Sequence, residues 1–328
     1  MANGIQIVWD DTVLPFQLEA SDVRGRIVRV NSVLDDVLKQ HDYPPLVQEL
    51  ITEIVVLTAL IGQTIKLRWK LSLQVQAKGS IKMIAADYFA PQECGEPARI
   101  RSYASFDRKA YETNTPKFGF DNTGYFAVLI DQGEGTTPYQ GITPLSGGSL
   151  RACAETYFYQ SEQLKTKFLL SFGEVQDLKP ALKWRAGGIM LQYLPQENPK
   201  QNECNESGVC EAKINLLEQK RVDDWNRANL LLGTVTDIEL VNPSIALNEL
   251  LYQLFAEEQL CIFDPQAIRF GCTCSEERVR NSLSIYSQNE IAKMITADNR
   301  VTADCQFCGA HYELDPLSLG FEAVTGKE

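Results

Sequence analysis

Apolar residues along this chain recur at two spacings, and the changes from one to the other mark its elements. "RGRIVRV" sets Ile27 and Val30 among basic residues and predicts a strand. "SVLDDVLKQHDY" follows with helical spacing at Val33, Val37 and Leu38. Pro44 and Pro45 open a longer helical pattern carried by Leu46, Leu50, Ile54 and Leu57. "KLSLQVQ" places Leu71, Leu73 and Val75 on one face of a strand, and the turn "AKGS" leads into a second apolar strand, which predicts a hairpin. "GYFAVLIDQG" reads as a strand buried on both faces. After the break at Gly147 and Gly148 the pattern turns helical to about Gln163. Helices interspersed irregularly with hairpins predict an α+β class.

The pattern then changes. "YLPQENPKQNECNESGVCEAK" is polar, holds Pro195 and Pro199, and predicts an exposed loop. Two amphipathic helices follow, near Ala212–Leu232 and Ser244–Gln259. The first carries Ile214, Leu217, Trp225, Ala228 and Leu231 opposite a heavily charged face; the second carries Ile245, Leu250, Leu251, Leu254 and Phe255. Such stripes pack on a neighbour and become exposed apolar surface if the neighbour lets go. The expected organisation is a mixed α/β core domain at 1–186, a linker with amphipathic helices at 187–263, and a small C-terminal module at 264–328. That module has few large apolar residues, among them Ile268, Phe270, Leu283, Ile285, Ile291, Ile295 and Phe307. A core of that size is marginal without a metal or a crosslink.

Charge narrows the partners. The formal net charge is −12, and from Gln266 onward six Lys and Arg face nine Asp and Glu. A phosphate-backbone binder needs the opposite balance, so nucleic acid is not an expected partner. The longest apolar run, "IVVLTALIG", is short of the roughly 20 residues a membrane span needs, so no membrane partner is expected. The N-terminus has no apolar segment of the kind a secretory signal carries, which places the chain in a reducing cytoplasm.

Nine cysteines in such a compartment point to metal or redox chemistry. Four stand in two close pairs: Cys272 and Cys274 in "FGCTCSEER", Cys305 and Cys308 in "DCQFCGAHY". Cys-x-x-Cys is the usual knuckle spacing of a tetrahedral zinc site, and Cys-x-Cys is a rarer, tighter one. Together they supply a complete four-thiolate shell, which leaves His311 as a packed or solvent-facing residue. Structural zinc contributes on the order of 10–16 kcal/mol of folding energy at neutral pH in small peptides. It also holds the sulfurs as thiolates, the form that attacks peroxide. A sulfenic acid on either residue of a pair has a resolving thiol beside it. Disulfide sulfurs are poor ligands, so oxidation withdraws the metal and its folding energy; the alternative that four cysteines alone leave open is a permanent zinc ribbon that only stabilises the C-terminus.

These residues resemble the redox-regulated 33 kDa heat-shock chaperone family (heat shock protein 33). The C-terminal stretch is similar to that family's zinc module, down to Ser275 and Glu276. "HDYPPLVQELITEIVVLTALIGQTIK", "LSLQVQAKG", "AADYF", "YQGITPLSGGSLRACAETYFYQSEQL" and "AGGIMLQYLP" resemble its core in order and spacing. The resemblance implies an ATP-independent holdase, not an enzyme. Its reduced form would hold one Zn2+ per chain on Cys272, Cys274, Cys305 and Cys308 and be inactive. Oxidation would form disulfides Cys272–Cys274 and Cys305–Cys308, release zinc and unfold the linker. The oxidised chain would form a homodimer and hold unfolded or oxidatively damaged client proteins. "ENPKQNECNESG" departs from the family pattern as an insertion, and Cys94, Cys153, Cys204, Cys210 and Cys261 lie outside the motif with no role assigned.

Three other classes fit less well. A nucleic-acid zinc ribbon has the wrong charge. A thiol oxidoreductase would need its Cys-x-x-Cys at the start of a helix after a strand, a setting "CQFCGAHYEL" lacks. A hydrolase finds only His41 and His311. His41 reads as structural at a helix-to-turn boundary, and "GEGTTPYQG" reads as a loop, not a phosphate cradle.

Overall fold

The computed structural model describes residues 9–113, 120, 123–145, 147–176, 182–194 and 207–320. The chain divides into two compact units, Met1–Phe270 and Gly271–Glu328.

The larger unit opens with β1 (Thr12–Leu18) and β2 (Val23–Val30), then α1 (Ser32–Leu38) and α2 (Pro45–Gly62). Strands β3 (Lys70–Gln76), β4 (Ile81–Phe89) and β5 (Ala98–Phe106) lead through α3 (Arg108–Thr113) to β6 (Tyr125–Asp131) and β7 (Tyr139–Pro144). Helix α4 (Leu150–Ser161), capped by the Ser149 hydroxyl, precedes β8 (Thr166–Gln176) and β9 (Leu182–Tyr193). Helices α5 (Ser207–Leu232), α6 (Asp237–Val241) and α7 (Leu247–Leu254) come next, then β10 (Leu260–Ile262) and β11 (Gln266–Phe270). The strands form one sheet in the order β7-β6-β3-β4-β5-β11-β1-β2-β9-β8, with β10 beside β1. Its pairs are antiparallel except β5 with β11.

Two cores lie within this unit. Helix α2 is the centre of the first: Ile51, Ile54, Val55, Val56, Leu57 and Leu60 are fully buried with Leu71, Leu73, Ile84 and Val128 of the sheet. By length and composition α2 is apolar enough to cross a membrane, yet it is the core helix of a folded unit. The second core joins Leu14, Phe16, Leu18, Val23, Ile27, Ile189 and Leu191 of β1, β2 and β9 to Ala228, Leu232, Leu240, Leu250, Leu251 and Phe255. The neighbour required by the two amphipathic patterns is therefore the sheet β1-β2-β9.

Strand β2 shows why both faces are covered. Val28 and Val30 enter the first core and Ile27 enters the second. Arg29 shares a face with Ile27 and is also fully buried. Its guanidinium donates to the carbonyls of Glu239 (3.3 Å), Leu240 (3.0 Å) and Ile245 (2.8 Å), which lie at and beyond the C-terminus of α6. Helix ends leave such carbonyls unpaired, and a cation beside them is favourable. Burial pushes the Arg29 pKa down to about 10, still high enough to keep it charged at neutral pH. On β9 a side chain at Gly187 would meet the Leu240 carbonyl at 2.5 Å, and one at Gly188 would meet Val56 at 2.6 Å. The paired glycines of "AGGIM" thus let helices approach the same strand from both faces.

Some boundaries differ from those the sequence predicts. The expected junction at 186/187 falls inside β9, where Ala186 and Gly187 pair with Val30 and Arg29. Residues 266–270, expected in the C-terminal module, form β11 beside β5 and β1; Ile268 belongs to the first core. The predicted loop before the first amphipathic helix ends sooner, because α5 begins at Ser207. Residues 195–206, with Cys204, lie outside the described residues, as do the side chains of Cys210, Ile214 and Leu217. Helix α6 went unpredicted although Thr236 and Glu239 form a capping box at its start.

Candidate metal centre

The smaller unit contains α8 (Glu276–Leu283), α9 (Gln288–Ala292) and a hairpin of β12 (Val301–Asp304) and β13 (His311–Leu314). Its core is Ile291, Val301, Leu314 and Leu319, with Val279, Leu283, Tyr286 and Ile295 packed around it. Ile285, expected to contribute, is exposed.

Cys272 and Cys274 lie in the segment leading into α8. Ser275 caps that helix by accepting from the Arg278 amide, and Glu276 pairs with Arg280 one turn on. Cys305 and Cys308 lie in the turn of the hairpin. The Gly309 amide donates to the Cys305 carbonyl at 2.8 Å, and the Cys305 amide donates to Ala310 at 2.9 Å. Gly309 has φ +67, a left-handed conformation that glycine adopts without strain. Against the upward push of burial, the amides of Phe307 and Cys308 favour the thiolate of Cys305, and the Ala310 amide favours that of Cys308.

The fold brings all four predicted cysteines together, each half-buried, with their sulfurs within 4.8 Å of one another. The contacts between pairs are Cys272–Cys305 at 3.7 Å and Cys274–Cys308 at 3.3 Å. A Zn–S bond of about 2.3 Å implies a tetrahedron edge of roughly 3.8 Å, so the cluster has the size of a four-thiolate metal site. Among the described residues it is the one group of His, Cys, Asp and Glu side chains placed to hold a metal ion. Burial pushes the Cys305 and Cys308 thiols up. A bound divalent cation acts in the opposite sense and holds coordinating thiols as thiolates.

Residues around the cluster complete the picture. The Tyr312 hydroxyl donates to Cys274 Sγ at 3.1 Å, and this bond pushes the phenol up to about 12. His311 points away, its Nδ1 2.6 Å from Asp304, and that contact raises its pKa. Of the two settings the sequence left open for His311, packed or solvent-facing, the structure shows the second, and Tyr312 is the neighbour the sequence did not single out. Cys94 is exposed, Cys153 is buried in α4, and Cys261 is half-buried on β10. His41 stacks near Tyr43 and Tyr103, at 5.3 and 5.4 Å between ring centroids, in keeping with a structural role.

Comparison with known proteins finds relatives along nearly the whole chain. The 33 kDa chaperonin of Caulobacter vibrioides is 32% identical over 317 residues, covering 94% of this chain and 96% of the relative. A 33 kDa chaperonin of Yersinia pestis is 32% identical over 298 residues, covering 90% and 89%. The crystal structure of the 33 kDa chaperonin (heat shock protein 33 homolog) of Thermotoga maritima superposes with a TM-score of 0.70 at 20% identity, covering 97% of this chain and 99% of that one. Residues 11–315 match the family described as Hsp33 protein. With a match of that extent, and relatives at this identity along nearly their full length, the chain belongs to the Hsp33 family.

Proposed function

We propose that this protein is a redox-switched holdase chaperone whose trigger is a zinc ion held by Cys272, Cys274, Cys305 and Cys308. The observation that carries the reading is a complete four-sulfur cluster in a unit with few buried apolar side chains. Thiolate softness and a tetrahedral arrangement favour zinc among the common divalent ions. When bound, the ion contributes folding energy and keeps the sulfurs ionised. The domain plan that goes with this reading is a core domain, a linker of amphipathic helices and a C-terminal redox module.

Hydrogen peroxide oxidises each thiolate pair by two electrons. One S–S bond forms, the O–O bond breaks, and with two protons the oxygens leave as two waters. The family resemblance assigns the pairs as Cys272–Cys274 and Cys305–Cys308. A disulfide no longer offers the charge that held the cation, so the smaller unit loses its cohesion. In this reading the change extends to α5–α7, which follow the core strands and precede β10 and β11. Release of these helices would uncover Phe16, Leu18, Ile27 and Ile189, together with the helices' own apolar faces. An apolar surface of that kind suits unfolding client proteins, and oxidised chains would pair as homodimers. The setting is a reducing cytoplasm, where such thiols stay reduced until stress.

The test uses the full chain, reduced and loaded with zinc. Peroxide with mild heat is expected to release one zinc per chain, form two disulfides and suppress the light scattering of a heat-unfolding enzyme. Peptide mapping of the disulfides checks the pairing. Zinc that stays bound, or zinc loss with no gain in suppression over the reduced form, would sink the proposal.

A further inference from the structure

We propose that Tyr312 is a positioning residue of the thiol cluster: its hydroxyl donates to Cys274 and slows the attack of that sulfur on oxidants. The inference rests on the metal reading above and adds a control on its chemistry.

Tyr312 lies on β13, half-buried, on the same strand face as the buried Leu314. His311 and Glu313 take the opposite, exposed face. The phenol thereby reaches inward, and its oxygen is 3.1 Å from Cys274 Sγ. Cys274 Sγ is 3.3 Å from Cys308 Sγ and 3.1 Å from the Tyr312 hydroxyl. The phenol is thus a side-chain donor aimed at one sulfur of the cluster.

The consequence follows from the oxidation step. A thiolate lone pair attacks peroxide, an S–O bond forms as the O–O bond breaks, and hydroxide leaves. The sulfenic acid then yields its hydroxyl, as water after taking a proton, to attack by a second thiolate, and an S–S bond forms. Peroxide gains two electrons and each sulfur supplies one. Charge leaves the attacking sulfur in the transition state, so a hydrogen bond to that sulfur weakens along the reaction coordinate. It stabilises the ground state more than the transition state, and the barrier rises.

Tyr312→Phe removes the donor and keeps the ring. The experiment uses the full reduced chain loaded with zinc, exposes it to limiting peroxide and maps each cysteine by timed alkylation and mass spectrometry. The rate at Cys274 is expected to rise about fivefold while the rates at Cys305 and Cys308 change by less than about twofold. Peroxide-driven zinc release should quicken with it. A second readout uses cobalt in place of zinc. Loss of the hydrogen bond raises the donor strength of the thiolate and shifts the sulfur-to-cobalt charge-transfer band to lower energy. Difluorotyrosine at position 312, a stronger donor, should move both readouts the other way.

If the substituted and unsubstituted chains bind one cobalt with the same band and oxidise at the same rate, the role of Tyr312 is refuted and the metal reading stands. Equal acceleration at all four cysteines also refutes it, since that reports general loosening. If the unsubstituted chain takes up neither zinc nor cobalt, the metal reading falls and this inference falls with it.

Discussion

Helix α2 and the Cys305–Gly309 turn stand at the centres of units built on different forces. Around α2, side chain after side chain is fully buried between the helix and a wide sheet, and apolar burial at about 25 cal/mol per Å2 accumulates over many residues. Among the described residues of the smaller unit the apolar core is four side chains, and a set of sulfurs joins the segment before α8 to the hairpin turn. A core made of many contacts fails only when many are lost. A unit centred on one ion can fail at a single chemical event. Under the proposed function, the contrast would let one chain combine a permanent scaffold with a part that is removable on demand.

Metal removal breaks the comparison most sharply. A chelator under reducing conditions is expected to remove on the order of 10–16 kcal/mol from the smaller unit, more than its core can offset. Hydrogen exchange should then show amide protection lost across 276–314 and retained in α2 and β3–β6. Protection that survives in both regions would mean that the smaller unit folds on apolar contacts alone.

The second comparison lies within the larger unit, between its two cores. The first depends on packing, whereas the second also depends on buried Arg29 and its three carbonyl partners. Arg29→Met leaves those carbonyls without their donor and is expected to cost about 3 kcal/mol. Exchange should accelerate first at 237–254 and only weakly in α2. A uniform loss across the unit would show that Arg29 supports the whole sheet and not the α6–α7 segment.

The smallest effect is one of pH. Glu258, nearly fully buried, accepts from Arg227 on α5, and this bond holds its carboxyl below the usual range. A depressed folded-state pKa means that the stabilisation is present above the unfolded value, about 4.3, and is lost as pH falls through the lower folded value. Arg227 is half-exposed, so the pair is worth about 1 kcal/mol. Between pH 6 and 3 the unfolding midpoint should fall more steeply in the unsubstituted chain than in Glu258→Gln. Identical slopes would show that the pair contributes nothing measurable.

Much of the site was legible because it is encoded locally. Cysteine spacing of one and two residues is a constraint that operates over a few residues. Short strands and the long apolar helix were legible for the same reason. Arg29 was not, because alternation along β2 assigns a basic residue to solvent, and its hydrogen-bond partners are carbonyls more than 200 residues away. Tyr312 was not, because a tyrosine in a short strand carries no sign of the sulfur it will meet. The strand boundaries at β9 and β11 were missed because pairing partners decided them, with Arg29 and Val30 holding one and Ala98–Ile100 the other.

The sequence by itself therefore determined which atoms were available: four thiols in two pairs, a small apolar complement around them, and amphipathic helices in search of a cover. Only the tertiary structure decided what each would face: that sulfurs more than 30 residues apart converge, that the helices lie on β1-β2-β9, and that one phenol reaches one cysteine. The physical reason is range. Spacing, capping and periodicity act within a turn or two of chain, whereas metal geometry, burial of a charge and packing of a helix on a sheet depend on partners that are distant in sequence and adjacent only after folding.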